Sequence, residues 1–321
     1  MVEKYLNQIG DTPLLKIIDE MFHNIKIYVK LEFYNPTGSV KDRAAYYILN
    51  KIMKNGEINK DTIIIESSSG NFGIALAFYC KMLGLKFYSV IDPNITFANE
   101  ILIRKMSTQT FMVDQADQNG GYLIERIKKV KQLQEQYCNT YWINQYGNPY
   151  NIEAYYNTLG NELCTQMDHI DYVFLGVSSC GTITGVSRKI KEKYPNAKII
   201  AVDIVGSVIF GEKAQKRYIP GIGSSMKPEN LKKAKIDDVI QVTEEETIEM
   251  CNYLLTNHQI FVGGSSGSVM VAIRNYFKNK EVKNITVVTI FADRGDRYST
   301  TIYNEEWCSE KFPNLKKGEK L

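Results

Sequence analysis

Lys41 stands in the run Asn35-Pro36-Thr37-Gly38-Ser39-Val40-Lys41-Asp42-Arg43. Pro36, Thr37 and Gly38 make a turn, and the residues after it, Asp42 to Lys54, have helical spacing. A lysine delivered this way is held rigidly where the chain turns into a helix. In a partly desolvated pocket such an amine can lose its proton and form a Schiff base with a carbonyl compound. Most lysines that open helices are simply solvated, so the run takes its meaning from three segments downstream.

The first is Ser67-Ser68-Ser69-Gly70-Asn71-Phe72-Gly73, between a strand-like run, Ile63 to Glu66, and an apolar helical run, Ile74 to Leu83. Hydroxyls and backbone N–H groups at a helix N-terminus bind a carboxylate or phosphate. A Ser or Asn cap with glycine in the turn would explain part of this composition. Three serines, an asparagine and two glycines within seven residues exceed that need.

The second, Gly176-Val177-Ser178-Ser179-Cys180-Gly181-Thr182-Ile183-Thr184-Gly185, follows a strand-like run and opens a helix reaching Lys193. Small residues let the backbone approach a phosphate at the positive end of the helix dipole. The segment lacks the lysine of G-x-x-x-x-G-K-S/T and the spacing of G-x-G-x-x-G, which disfavours a nucleoside triphosphate and a dinucleotide. A cofactor monophosphate fits. The third, Gly263-Gly264-Ser265-Ser266-Gly267-Ser268, precedes a helical run from Val269 to Lys278. A serine facing a pyridine nitrogen does not protonate it as an aspartate would, which suits β-elimination better than transamination. Together the four segments supply what pyridoxal 5'-phosphate (PLP) requires.

Their order resembles the fold-type II PLP enzymes, in the branch of cysteine synthase and cystathionine β-synthase. That branch reads roughly N-P-x-G-S-x-K-D-R, T-S-G-N-x-G, G-x-G-G-T-x-x-G and G-x-S-x-G. Asn7-Gln8-Ile9-Gly10-Asp11-Thr12-Pro13-Leu14 is similar to its opening I-G-x-T-P-L, and Asp293-Arg294-Gly295-Asp296-Arg297-Tyr298 to its closing G-E-R-Y. A narrower resemblance is to the siderophore-pathway subfamily of N-(2-amino-2-carboxyethyl)-L-glutamate synthases, which make a precursor of 2,3-diaminopropionate. It rests on Glu66 to Ala77, Gly120-Gly121-Tyr122-Leu123, Tyr141 to Tyr146, Gly206 to Gly211, Pro220 to Gly223 and Asp293 to Tyr298.

The resemblance implies an α/β fold of two open domains with mostly parallel, twisted sheets and PLP in the cleft between them. Residues 1–11 and 36–144 would form a smaller, mobile domain; residues 12–35 and 145–321 would form a larger, PLP-binding one. It implies that Lys41 holds PLP and moves the Cα proton. Asn71 would bond the ring 3'-oxygen, Ser178, Ser179, Cys180, Gly181 and Thr182 would hold the phosphate, and Ser265 would face the ring nitrogen. The substrate carboxylate would bind Ser68, Ser69 and Asn71, with Gln145 closing over it. The implied reaction is β-replacement through an α-aminoacrylate, with O-phosphoserine as donor and the amino group of glutamate as nucleophile, in a homodimer.

A departing phosphate needs a cation. By resemblance this is Arg126, with Tyr146 and Ser178 helping to place the substrates. Yet Arg126 lies in the basic run Glu125 to Lys131, and such runs are usually solvated helix faces. Phe72 stands where cysteine synthases carry threonine, which argues against ordinary cysteine synthesis. A cysteine synthase using O-acetylserine or O-phosphoserine with sulfide is the rival reading, separated only by its nucleophile. A serine/threonine dehydratase would read S-x-K-x-R-G around the lysine. A non-catalytic regulatory relative would be expected to lack Lys41 or Asn71, and both are present.

Composition agrees with an enzyme of small molecules. The length of 321 residues suggests about two domains, and 44% hydrophobic residues can fill their cores. A net charge of +3 with scattered lysines gives no nucleic-acid footprint. No apolar run approaches the roughly 18 residues of a membrane helix, and Met1-Val2-Glu3-Lys4 has no signal-peptide pattern, so a cytoplasmic location is expected.

The six cysteines form no C-x-x-C pair; Cys80, Cys164 and Cys251 fall in helical patterns and read as buried hydrophobes. Cys180 is either a small residue beside the phosphate or a redox-sensitive thiol. His23, His169 and His258 have no metal-ligand spacing, and no metal is expected. Strands are expected at Lys26–Leu31, Ile63–Glu66, Lys86–Ile91, Thr110–Val113, Tyr172–Val177, Ile199–Asp203, Val239–Val242 and Ile285–Phe291, alternating with helices as in βαβ units. The loop-rich stretch from Gly206 to Asn230 could line a pocket or an interface.

Overall fold

The computed structural model describes residue 6 and residues 8–22, 24–117 and 121–315. Met1 to Lys4, Asn7, His23 and Gly120, used in the reading above, lie outside the described residues. Two strands, β1 (Leu14–Ile17) and β2 (Ile25–Leu31), lead into α1 (Lys41–Lys54). A βα alternation follows: β3 (Ile63–Ser67), α2 (Asn71–Leu83), β4 (Lys86–Ile91), α3 (Phe97–Met106), β5 (Gln109–Met112), α4 (Leu123–Gln136) and β6 (Thr140–Trp142). Helix α5 (Pro149–Tyr155) passes through one π turn (Tyr156–Gly160) into α6 (Asn161–Gln166). The remainder comprises β7 (Tyr172–Gly176), α7 (Gly181–Lys193), β8 (Lys198–Ile204), β9 (Asp238–Val242), α8 (Glu244–His258), α9 (Gly264–Phe277), β10 (Ile285–Phe291) and α10 (Glu305–Lys311).

These strands form two sheets. One has the order β5-β4-β3-β6 and is parallel throughout. The other has the order β1-β2-β10-β7-β8-β9 and is parallel except at its edge, where β1 pairs antiparallel to β2. Central strands are apolar on both faces, as helix-covered parallel strands must be: Val173, Phe174 and Leu175 of β7 and Val287 and Val288 of β10 are fully buried. The C-terminal ends of β3, β7 and β10 run directly into the Ser67–Gly73, Val177–Thr182 and Asp293–Tyr298 segments. Carboxyl ends of parallel strands are where open α/β sheets present their ligands.

The two strands not expected from sequence, β1 and β6, are edge strands of four and three residues. Such lengths are too short to show a period. Two helices begin earlier than the apolar periodicity indicates, at Asn71 rather than Ile74 and at Gly264 rather than Val269. Their glycines look like turn residues in sequence but serve close approach within helices. A Cβ on Gly73 would lie 2.3 Å from the Ser68 carbonyl oxygen, and one on Gly267 would lie 2.5 Å from Cys251 Sγ.

The start of α1 is fastened to the six-stranded sheet by a buried charge network. Arg43 donates from Nε to Glu32 Oε2 (2.7 Å) and from Nη2 to Glu32 Oε1 (2.8 Å) and Glu162 Oε2 (2.8 Å). Lys30 Nζ pairs with Glu162 at 2.8 Å, and Thr12 donates to Glu32 Oε1 at 2.8 Å. The side chains of Arg43 and Glu32 are wholly excluded from solvent. Removing one partner leaves an uncompensated buried carboxylate. Denaturant unfolding of Arg43→Met is therefore expected to show a loss of about 3–5 kcal/mol; an unchanged midpoint would show that the network carries no stability.

Candidate active site

Residues 41–43 divide three tasks among consecutive side chains. Lys41, the first residue of α1, is half-buried in the wall of a cavity of about 690 Å³ between the two sheets. Asp42 turns back on the preceding loop, accepting from Thr37 N (2.9 Å), Thr37 Oγ1 (2.7 Å) and Ser39 N (3.3 Å), while Tyr79 donates its hydroxyl to the same carboxylate at 2.6 Å. Arg43 anchors the helix from below. The lysine amine is thereby aimed, and its surroundings withdraw water. Burial pushes the Lys41 amine below the usual lysine value, opposed by the charges of Asp293 and Cys180.

Three helices bring their N-termini to the same cavity. Ser68, Ser69 and Asn71 line it from the start of α2; Ser178, Ser179, Cys180 and Thr182 from the start of α7; and Ser265 from the first turn of α9. Gln145, Tyr146 and Arg126 complete the wall. Gly181 is the exception, since its Cα faces Asn151, where a Cβ would meet Oδ1 at 2.4 Å. At α1, α2, α7 and α9 the N-cap residue (Val40, Gly70, Cys180 and Gly263) makes no side-chain cap. Asn148, Thr243 and Asn304 cap α5, α8 and α10, and Thr96, itself in the cavity wall, caps α3. Backbone donors at uncapped helix ends are available to an anion, save that in α2 Gly73 N already donates to Ser68 Oγ (3.0 Å).

Arg126 does not sit on a solvated face. Its side chain is 11% exposed, against 62% for Lys128 in the same basic run. The guanidinium donates to Ser69 Oγ (2.9 Å) and pairs with Asp92 Oδ2 (3.0 Å), and Ser69 in turn donates to Asp92 at 2.7 Å. Beneath the serine loop, Glu66 accepts from Ser67 N (2.7 Å) and Gln145 N (3.2 Å). Burial pushes this carboxyl up to about 7, against the pull of those bonds and of Arg126. Tyr146 is likewise pushed up by burial.

The sequence motif Asp293 to Tyr298 carried no assigned task, and here it frames the site. Asn71 donates Nδ2 to Asp293 Oδ2 (2.7 Å), Tyr298 donates to the same oxygen (2.5 Å), and Arg297 reaches Asn71 Oδ1 and the Thr37 carbonyl. Asp293 lines the cavity with its other oxygen, Oδ1, buried and without a partner. The signal was present as charged residues placed immediately after the apolar β10. Arg217, also in the cavity wall, lies in no motif.

Cys180 adopts a left-handed backbone, φ +60, at the head of α7. Burial pushes its thiol up to about 12, with the Asp203 charge acting in the same direction and Lys41 opposing. A thiol so placed carries little thiolate, the reactive form, at neutral pH.

The family described as pyridoxal-phosphate dependent enzymes matches residues 5–293. This chain belongs to that family. It is similar to an O-acetylserine-dependent cystathionine β-synthase from Helicobacter pylori, at 32% identity over 92% of this chain and 97% of that one, TM-score 0.86. A hydrogen sulfide-producing enzyme from Fusobacterium nucleatum gives 30% identity over 92% and 98%, TM-score 0.85. A variant hydrogen sulfide-producing enzyme, solved with an α-aminoacrylate intermediate, gives 32% over 100% and 93%, TM-score 0.86.

PLP is the cofactor of the family, and the residues around the cavity fit it. A desolvated amine, Lys41, faces the cavity that the uncapped α7 N-terminus enters, and Ser178, Ser179 and Thr182 add hydroxyls where a phosphate would need donors. Asn71 spends one amide N–H on Asp293 and keeps the other, since a carboxamide carries two.

Two outcomes follow. Of the six thiols only Cys138 is exposed. Ellman's reagent at pH 8 should therefore modify Cys138 quickly and Cys180 only on unfolding; a second fast equivalent that vanishes in Cys180→Ser would overturn this. Glu66 binds its proton more tightly folded (about 7) than at its ordinary value of 4.5, so the folded state holds the extra proton. Its contribution to stability is then lost as pH rises from about 4.5 to about 7. Glu66→Gln should flatten that part of the stability–pH curve, as read by urea midpoints across the range.

Proposed function

We propose that this chain catalyses PLP-dependent β-replacement, joining the side-chain carbon of O-phospho-L-serine to the amino group of L-glutamate. The Cβ–O bond breaks, the N–Cβ bond forms, and phosphate leaves, giving N-(2-amino-2-carboxyethyl)-L-glutamate. One observation carries the reading. The cavity at Lys41 has about 690 Å³ and two guanidinium groups, Arg126 and Arg217, in its wall. Sulfide needs neither that room nor that charge; a phosphate and a second amino acid need both.

PLP, when bound, supplies the electron sink for charge developing at the donor Cα. Lys41 is the proton carrier: its amine, made less basic by desolvation, takes the Cα proton and later returns it. The Ser68, Ser69 and Asn71 loop receives the donor carboxylate at the N-terminus of α2, with Gln145 beside it. Arg126 faces the departing phosphate. Nη1 is already spent on Ser69 and Asp92, but Nε is buried without a partner and has a donor to give. Tyr146 and Ser178 position the substrates from the adjoining wall. Phe72, 2% exposed at the base of the loop, contributes bulk and no hydroxyl.

Replacement by sulfide or a thiol is the second reading. It draws on the relatives, one named for an O-acetylserine-dependent cystathionine β-synthase activity and another for hydrogen sulfide production. The two separate in one experiment on the PLP-loaded protein. O-Phosphoserine is added with L-glutamate or with sulfide, and phosphate release, the visible spectrum and product mass are followed. Glutamate-dependent phosphate release with the mass of the coupled amino acid is expected. Turnover with sulfide alone, giving cysteine, would overturn the proposal in favour of cysteine synthesis.

A further inference from the structure

Two guanidinium groups line the cavity, and only one of them has an ion-pair partner among the described residues. Arg126 is paired with Asp92 at 3.0 Å. Arg217 is half-buried and forms no ion pair among the described residues; its guanidinium bonds only neutral oxygens, the Ile222 carbonyl from Nη1 (3.2 Å) and Ser225 Oγ from Nη2 (3.0 Å). A guanidinium carries five N–H donors, so part of the fork is unspent. A positive charge withdrawn from water without a counter-ion is costly unless an anion completes it.

The chain invests in holding this side chain where it is. Gly223, at φ +75, is the floor on which it lies: a Cβ there would be 2.3 Å from Arg217 Nη1, so no other residue leaves the guanidinium in place. The Gly223 N–H is tied to the Val177 carbonyl (2.7 Å) at the end of β7, next to Ser178. On the other side, Glu244 Oε1 accepts from Tyr218 N (2.7 Å) and Ile219 N (2.6 Å), clamping the residues that follow Arg217. Glu244 and Asp203 act on Arg217 through charge but not through contact: Asp203 Oδ1 accepts from Ile204 N at 2.9 Å, while its Oδ2 is buried without a hydrogen-bond partner.

The two arginines belong to different walls. Arg126 sits on α4 with Ser69 of the four-stranded sheet, on the side that holds the donor. Arg217 sits on the loop that leaves β8 of the six-stranded sheet, and Tyr146 feels both charges. We propose that Arg217 is the specificity-determining residue for the second substrate, binding a carboxylate of the incoming amino acid while Arg126 attends to the donor. This rests on the amino-acid acceptor proposed above. It makes a preorganised bidentate fork the reason an amino acid can be positioned with its amine toward the reacting carbon.

The test uses the PLP-loaded full chain, comparing wild type with Arg217→Gln and Arg217→Lys. O-Phosphoserine is titrated alone by the visible spectrum, and the glutamate KM is then measured at saturating donor. Losing a hydrogen bond to a charged group should raise the glutamate KM of Arg217→Gln roughly tenfold or more. The donor titration should be unmoved, and Arg217→Lys, with its charge but no fork, should fall between. An unchanged glutamate KM would overturn the inference. So would a weakened donor titration, which would assign Arg217 to the donor phosphate. If Arg217→Gln fails to fold, Arg217→Lys decides alone, because its glutamate KM must still rise while the donor titration stays unchanged. Failure of wild type to couple glutamate at all would instead remove the proposed function.

Discussion

The buried pairing of Arg43 with Glu32 and Glu162 is the interaction on which the site depends. It joins the first turn of α1 to β2 and α6, so the helix that carries Lys41 cannot shift relative to the six-stranded sheet without breaking charged bonds in a dry interior. One residue earlier, Asp42 holds the loop before the helix, and one earlier again Lys41 faces the cavity. Ordinary helix geometry points three consecutive side chains in three directions, roughly 100° apart at 3.6 residues per turn. Here each direction has a partner: solvent-poor cavity, loop and core.

Around that fixed amine the electrostatics have one theme. At α1, α2, α7 and α9 the N-cap residue makes no side-chain cap, although α3, which also reaches the cavity, is capped by Thr96. Positive groups, Arg126 and Arg217, stand nearby. The acidic groups at the site are either bonded or pushed toward neutrality by burial, as Glu66 and Asp293 are. The result is a cleft that favours anions while leaving an amine able to shed its proton. PLP phosphate and amino-acid carboxylates share that requirement for an electropositive surrounding.

Much of this was legible in the residues. Four small-residue segments in a fixed order indicated the PLP chemistry and singled out Lys41 as the candidate lysine, and alternating strand-like and helical runs indicated the α/β alternation, because glycine and serine at strand-to-helix junctions have few other uses at such density. The edge strands β1 and β6, the early starts of α2 and α9 and the absence of Gly181 from the cavity wall were not legible. A glycine needed for close packing within a helix looks the same in sequence as one needed in a turn.

Apart from the part that resemblance gave Arg126, charge roles belonged to the tertiary structure. In sequence Arg126 is one member of a basic run and Arg217 lies in no motif; neither spacing nor composition tells a solvated cation from one lodged in a cavity. What separates them is whom they meet: Asp92 and Ser69, 34 and 57 residues away in the chain, for Arg126, and Gly223, Ile222 and Ser225 of its own loop for Arg217. Local sequence determines backbone conformation and which groups are available. Desolvation and pairing, which decide whether a charge is spent or free, depend for Arg126 on distant residues and for Arg217 on how its loop folds into the cavity wall.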